Sequence, residues 1–225
     1  PHADPQAIRG RRPMNAADGA IKLGNGTSAT ALVYTGAGDT TDRAIEMAGT
    51  TGNAVVYQNG TGPLKFTSDV VVSGVGSKPL TLRGTSGVGA ELAGRVANAE
   101  GSTIALAKED GGSWLLSNTN TYSGTTTVNA GSLALTGSNT LSGNVTVNNS
   151  GSSLAFAGRN TLSGSVTLNT GTALAVSGTN TFSGSFRMSG SASALLGGSN
   201  AMAAVPVSGG SVKLEGTVHK PCYRL

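Results

Sequence analysis

Apolar and polar residues alternate in short runs along most of the chain, and clusters of Gly, Asn and Ser separate the runs. Runs such as Val145–Val147 and Val166–Leu168 place an apolar residue at every second position. A second kind of run, as at 154–156, has a small residue between two large apolar ones. A period of two is typical of half-buried strands, and Gly and Asn favour the turns between them. The pattern predicts an all-β protein of many short strands.

A pentapeptide, Asn-Thr-apolar-Ser-Gly, recurs in the C-terminal half. Its copies, the last of them degenerate, begin at Asn120, Asn139, Asn160, Asn180 and Asn200, so the period is nearly constant. Each repeat has only about four inward apolar residues, so it needs neighbours about 4.8 Å away to form a core. This regular spacing predicts a right-handed parallel β-helix, a β-solenoid with coils of about 20 residues.

The stacked repeats also predict which side chains meet. The five Asn residues are expected at a corner of the coil, where their amides form hydrogen bonds along the stack. Leu154 and Phe156 are expected to point inward and to stack on the equivalent residues of the adjacent coils, namely Leu133, Leu135, Leu174 and Val176. Tyr122, Leu141, Leu162 and Phe182 are interpreted as a further stacked core row.

The N-terminal half is less regular, but it too consists of short apolar runs separated by Gly-rich turns. Strands are predicted at 31–34, 44–47, Ala54–Gln58, 64–67, 70–73, 80–83 and 103–107. The predicted division is a disordered basic tail at 1–13, irregular coils at 14–110, regular coils at 111–215 and an off-pattern tail at 216–225. A continuous solenoid is favoured, and a separate small β-domain before about residue 100 is the alternative.

Charge and cysteine content exclude several classes of protein. The net charge of +4 comes from the two tails, and the body from Met14 to Glu215 is neutral, so no nucleic-acid partner is expected. The single Cys222 cannot form an internal disulfide or a Cys-based zinc site. No apolar run approaches the roughly 20 residues of a membrane-spanning helix.

We expect the chain to be a segment of a longer exported protein, and to associate end to end if its terminal coils are bare.

The segment 114–133, WLLSNTNTYSGTTTVNAGSL, resembles the autotransporter-associated β-strand repeat. That pattern is approximately W-x-L-S-G-x-N-T-Y-T-G-x-T-T-V-N-x-G-T-L, and Asn118 stands in place of its usual Gly. Segments 35–43 and 60–68 also resemble parts of large secreted proteins with such repeats. The resemblance implies a passenger segment that is extracellular or on the bacterial outer-membrane surface. Such a segment is usually a β-helical stalk. With the neutral, polar body, which suits a stalk better than a compact enzyme, this favours a non-catalytic structural or adhesive role, for which an extracellular glycan or a host or surface ligand is the expected partner.

Candidate chemistry is confined to the N-terminal half, because residues 111–214 contain no Asp, Glu, His or Cys. The strongest cluster comprises Asp39, Asp42, Arg43 and Glu46, which could bind a metal ion or a sugar but is more simply a turn. The alternative function is therefore a carbohydrate-active β-helix enzyme, a polysaccharide hydrolase or lyase, with its site within residues 39–110.

Other motifs are interpreted as structural. Glu109 and Asp110 precede two Gly residues, and Gly84–Gly89 lacks the Lys-Ser/Thr of a phosphate-binding loop, so both are predicted turns. His2 and His219 lie in the tails, which disfavours a Ser-His-Asp site. No catalytic residue, metal ligand or cofactor is therefore predicted.

A Thr row gives a second alternative. Thr127, Thr146 and Thr167 occupy the outward position of successive strands, and Arg187 ends the row. Flat Thr arrays can bind ordered water or sugars, although Thr is also simply favoured at exposed strand positions.

Overall fold

The computed structural model describes residues 19–202 and 209–219, and it confirms the predicted all-β solenoid. The chain winds through about nine turns, and most full turns contribute one strand to each of three faces. Every pairing between named strands is parallel, so each coil lies in register on the next.

Each face of the solenoid is a ladder of short strands. The first face contains β1 (Ile21–Leu23), β4 (Ile45–Met47), β7 (Val71–Val72), β14 (Asn139–Leu141), β17 (Arg159–Leu162), β20 (Thr179–Phe182), β23 (Ser199–Met202) and β25 (Thr217–His219). The second contains β2 (Thr30–Tyr34), β5 (Ala54–Gln58), β8 (Gly76–Arg83), β10 (Ser102–Lys108), β12 (Thr126–Val128), β15 (Val145–Val147), β18 (Val166–Leu168) and β21 (Phe186–Met188). The third contains β3 (Asp39–Thr41), β6 (Leu64–Phe66), β9 (Ala90–Leu92), β11 (Ser113–Leu116), β13 (Ser132–Leu135), β16 (Ser153–Phe156), β19 (Ala173–Val176), β22 (Ser193–Leu196) and β24 (Ser211–Leu214).

The coils are longer before β12 than after it. On the second face, the row of paired residues from β2 to β10 is Thr30, Ala54, Leu80 and Leu106. The same row continues in shorter steps through Thr126, Val145, Val166 and Phe186. The predicted period therefore describes only the C-terminal coils, because the N-terminal coils have longer corners. The sheet nevertheless continues without a break, since β10 pairs with both β8 and β12.

The predicted N-terminal strands all overlap observed ones, but three strands were missed: β1, β3 and β9. β3 contains two Thr and an Asp, so it carries no apolar alternation, and β1 and β9 are very short. At the other end, β25 lies within the segment 216–225, which fits no repeat in the sequence, and it extends the first face by pairing with β23. The tail 1–13 lies outside the described residues.

The core is a set of apolar columns that run along the solenoid axis. Leu154 and Phe156 are each 1% exposed, and they stack in register between Leu133 and Leu174 and between Leu135 and Val176. A further buried row contains Tyr122, Leu141, Leu162 and Phe182. Both predicted sets of core contacts are therefore confirmed.

The repeated Asn residues form a hydrogen-bonded ladder within the core. Each side-chain amide donates to the amide oxygen of the next coil, from Asn120 to Asn139 (2.8 Å), to Asn160 (2.7 Å), to Asn180 (2.7 Å) and to Asn200 (3.0 Å). The backbone amide of Val96 donates to the oxygen of Asn120 at 3.0 Å, which satisfies the first rung. From Asn139 onward these residues lie inside strands of the first face, not at the predicted corner, because the pentapeptide is itself a strand.

The Gly of the pentapeptide is required by close backbone stacking. A Cβ on Gly143 would lie 2.1 Å from the carbonyl oxygen of Gly124, and one on Gly164 would lie 2.3 Å from that of Gly143. Such distances are far shorter than van der Waals contact, so any side chain would push adjacent coils apart. The Gly column therefore sets how closely the corners can stack.

Truncation of a core side chain should be much more costly than truncation of an outward one. Leu154→Ala removes a buried side chain with neighbours above and below, so unfolding free energy should fall by about 2–5 kcal/mol. Thr146→Ala, on the outward side of β15, should change it by less than about 0.5 kcal/mol. Chemical denaturation of both variants measures the difference, and equal small losses would show that the strand faces are wrongly assigned.

The middle rung of the Asn ladder should also be important for stability. Asn160→Ala removes one donor and one acceptor and leaves Asn139 and Asn180 without those partners in a buried position. We expect a loss of about 1–3 kcal/mol in the free energy of unfolding. Thr161→Ala, on the outward side of the same strand, is the matched control, and a ladder without energetic importance would give both variants the same stability.

Candidate binding surfaces

The acidic cluster predicted from the sequence is spread over two faces. Asp39 begins β3 on the third face, whereas Glu46 lies in β4 on the first face. Glu46 accepts a 2.5 Å hydrogen bond from Ser73 and pairs with Lys22 at 3.7 Å. These contacts join adjacent coils. Nowhere in 19–202 and 209–219 do three His, Cys, Asp or Glu side chains lie close enough to hold a metal ion.

The Glu109–Asp110 turn is a structural corner between β10 and β11. Asp110 adopts a positive φ of 59° and accepts two hydrogen bonds from the Arg83 guanidinium, at 3.0 and 3.2 Å. Hydrogen bonding to Arg83 lowers the pKa of Asp110, so the carboxylate stays ionised. Arg83 also stacks over the ring of Tyr57, 5.1 Å from its centroid. This turn is thus held by contacts to two preceding coils.

A buried lysine forms hydrogen bonds to backbone carbonyls of the same corner. Lys108 is 0% exposed, and its ammonium donates to the carbonyl oxygens of Glu109 (2.5 Å), Asp110 (2.7 Å) and Ala130 (3.1 Å). Burial lowers the pKa of Lys108 to about 8, against the opposing effect of the Asp110 and Glu109 carboxylates. Sequence reasoning missed this group, although its inward place in the alternation of β10 was a visible signal.

A second Asn ladder runs along the corner between the second and third faces. Asn169 donates to Asn148 at 2.6 Å, Asn148 donates to Asn129 at 2.8 Å, and Asn129 donates to the carboxylate of Glu109 at 2.6 Å. A carboxylate is the strongest acceptor available for the last donor of such a chain. Glu109 therefore has a structural partner in the next coil.

The Gly84–Gly89 loop is shaped by contacts with Gln58. The buried amide of Gln58 donates to the carbonyl oxygens of Gly62 (2.7 Å) and Gly89 (3.1 Å). A Cβ on Gly84 would lie 2.0 Å from the backbone oxygen of Gln58, so this position needs Gly for close approach.

A groove runs along the outside of the third face. Its two parts have volumes of about 800 and 480 Å³, and they meet at Ser132 and Ala134. The floor is the row of outward residues that the strand register places in line: Thr40, Lys65, Glu91, Leu115, Ala134, Ala155, Ala175, Leu195 and Lys213. The middle of this floor is small and apolar, and charged residues lie toward its ends.

An ion pair gives the N-terminal part of the groove its polarity. Lys65 and Glu91 lie 2.9 Å apart on adjacent strands, and Ser117 donates to Glu91 at 2.5 Å. Burial acts to raise the pKa of Glu91, but the hydrogen bonds from Ser117 and Lys65 outweigh it and lower the pKa. An ionised, paired carboxylate suits recognition of a polar group better than donation of a proton in catalysis.

The predicted Thr row is present on the second face. Thr127, Thr146 and Thr167 are in register on adjacent strands, are half-buried on the outward side, and are followed by the exposed Arg187. In the part of the chain that the structure describes, no helix is long and apolar enough to cross a bilayer.

Comparison with known proteins gives a consistent result. Residues 106–135 and 130–152 match the passenger-associated-transport-repeat family, and the first match contains the segment 114–133 that resembles such a repeat. The chain is also 33% identical over 105 residues to the adhesin BmaC autotransporter of Brucella suis biovar 1. That match covers 45% of this chain but only 3% of the adhesin. No solved structure is significantly similar to the chain.

Lys108 should make the protein more stable as the pH rises above about 8. Its pKa is about 8 in the folded protein, against an ordinary value of 10.5. Between these values the unfolded state binds more protons, so unfolding free energy should rise by at most about 1.4 kcal/mol per pH unit. Burial raises the pKa of Tyr122 above its ordinary 10, which lowers stability only above that pH.

The useful window for this measurement is therefore from about pH 8 to about pH 10. Denaturant unfolding of the wild type and of Lys108→Met isolates the effect, because Met is an unbranched side chain of similar size without the titrating group. An identical pH dependence in the two proteins would contradict the prediction.

Proposed function

We propose that this chain, a repeat protein of the autotransporter-passenger type, is a non-catalytic structural and adhesive segment whose groove takes an extracellular ligand. The observation that carries the proposal is the unbroken stack of about nine coils with one long groove along the third face. Such a rod holds a binding surface away from the point where the longer protein is anchored.

The structural part of the proposal is supported by contacts between coils. The two Asn ladders, the Gly column and the buried Lys108 all make contacts between one coil and the next. The amides of the two Asn ladders are satisfied along the axis, so separation of one coil from the next would leave polar groups without their partners.

The adhesive part of the proposal rests on the groove. Its apolar floor, the Ser residues beside it and the Lys65–Glu91 pair would suit an extended ligand that has both apolar faces and polar groups, such as an extracellular glycan or a host surface polymer. The adhesin that this chain is similar to is named as an autotransporter, and we assign the chain to the extracellular side or the bacterial outer-membrane surface accordingly.

A polysaccharide hydrolase or lyase is the weaker candidate. Its site would have to use carboxylates within residues 39–110, and of these Glu46, Glu91, Glu109 and Asp110 are hydrogen-bonded to neighbouring coils. A polysaccharide panel tests it directly: release of new chain ends that is abolished by Asp42→Ala would replace the adhesive proposal with an enzymatic one.

Blocking the groove should abolish binding to an immobilised ligand. In Ala155→Arg a long side chain fills the middle of the floor without entering the core, so affinity for a ligand found on a panel of extracellular polysaccharides and matrix proteins should fall about tenfold or more. Thr146→Arg, in the same coil on the second face, is the control, because Arg187 already occupies that row two coils later. Binding that survives Ala155→Arg, or that both variants lose, would exclude the groove as the binding surface.

A further inference from the structure

We propose that the outward side of the first face, away from the groove, is a second binding surface that recognises the flat surface of an insoluble polysaccharide. The surface comprises three columns of four positions, here called the hydroxyl lattice: Thr119, Ser138, Arg159 and Thr179; Thr121, Thr140, Thr161 and Thr181; and Ser123, Ser142, Ser163 and Ser183. It arises from the Thr and Ser of the same pentapeptide whose Asn builds the inner ladder.

The lattice has a regular geometry because each column follows the strand register. Thr140, Thr161 and Thr181 are direct partners in β14, β17 and β20, so their spacing is about 4.8 Å along the axis. Neighbouring columns are two positions apart in sequence, which is about 7 Å along a strand. The Ser column follows each strand end and keeps the pairing, since Ser163 and Ser183 donate backbone hydrogen bonds of 2.9 Å to the preceding coil.

The hydroxyls of the lattice are free to bind a partner. Eleven of the twelve positions carry a hydroxyl, and Thr161 is half-buried while the others are exposed. Among the described contacts, Ser123 alone of these eleven hydroxyls has an intramolecular partner, the amide of Asn98 at 2.6 Å. Each of the other hydroxyls can both donate and accept, so a partner rich in hydroxyls at regular spacing satisfies them best.

The inner Asn ladder makes this surface rigid. Asn139, Asn160 and Asn180 lie in the same strands as the Thr column and are joined to one another directly beneath it. Thr is β-branched and has restricted χ1 freedom in a strand, so little side-chain entropy is lost when its hydroxyl binds. A fixed array of weak contacts gains affinity from their number.

The chemistry of the lattice selects the class of partner. It contains no acid and no aromatic ring, so it offers little to a peptide or to the ring face of a single soluble sugar. Its span is about 14 Å by 14 Å, far less than the roughly 800 Å² per partner of a stable protein complex. Arg159 stands within the array and has no ion-pair partner among the described residues, and its fork of donors suits vicinal sugar hydroxyls better than a lattice of ordered water.

Co-sedimentation of the whole chain with cellulose and chitin particles tests the proposal. The wild type should bind at least one of these solids. The triple variant Thr140→Val, Thr161→Val, Thr181→Val keeps side-chain shape and strand preference but loses three hydroxyls, so its partition to the solid should fall about tenfold or more. The matched control is Thr127→Val, Thr146→Val, Thr167→Val on the second face, which should bind as the wild type does, and thermal unfolding of all proteins verifies the fold.

Several results would overturn the proposal. These are failure of the wild type to sediment with either solid, an equal loss in both triple variants, or freezing-point hysteresis without binding to a solid, which would assign the lattice to ordered water. Ala155→Arg separates the two proposals: if it abolishes sedimentation, binding belongs to the groove and the lattice proposal fails. If Ala155→Arg still sediments with the solid, the hydroxyl lattice binds independently of the groove. In that case the lattice proposal stands even where no ligand for the groove is found.

Discussion

In-register stacking of parallel coils is the constraint on which the rest of this structure depends. Because each residue lies about 4.8 Å from its counterpart in the next coil, the same side chain meets itself again and again along the axis. Such repetition favours, as a buried polar residue, one that can form hydrogen bonds with its own copies. Asn meets the requirement, since an amide both donates and accepts, and the chain uses it twice: Asn139 and Asn160 within the core, and Asn129 and Asn148 along an outer corner.

The two ladders end differently, and their ends mark where the repeat begins. The inner ladder starts at a backbone amide, that of Val96, and the outer ladder ends on the carboxylate of Glu109. Both ends lie where the long N-terminal coils give way to the shorter, regular ones. Lys108 lies at this junction, where its ammonium binds three corner carbonyls, one of which belongs to the next coil. A change of coil length thus requires polar groups that the regular repeat does not contain.

The sequence was sufficient to predict the core and the Asn stack of the regular C-terminal coils, but not the contacts of the irregular N-terminal coils. Alternation and a fixed spacing predicted that Leu154 and Phe156 would be buried and that the Asn residues would stack, since both follow from one repeated register. The corner assigned to those Asn residues was wrong because so short a strand does not show enough alternation to be recognised. Asp39 and Glu46 seemed to form a cluster because they are close in sequence, but the solenoid places them on different faces. The groove and the bond from Lys108 to Ala130 depend on contacts between coils, for which the sequence carries no local signal.

Within the pentapeptide, the residues that stabilise the stack are separate from those that the proposed binding role would use. Alternation assigns Asn and the apolar residue to the inside, where stacking restricts them strongly, and Thr and Ser to the outside, where it restricts only their spacing. Substitution of an outward residue should therefore change the free energy of unfolding little. Arg159, Arg187 and Ala201 are outward residues that differ from the Thr or Ser beside them in their rows, and the strand register is kept at all three. A solenoid of this kind can change its ligand by changing outward residues one row at a time while the inner ladder is kept. For the proposed binding role, specificity would be a property of the columns along the axis, because each coil contributes only one residue to each column.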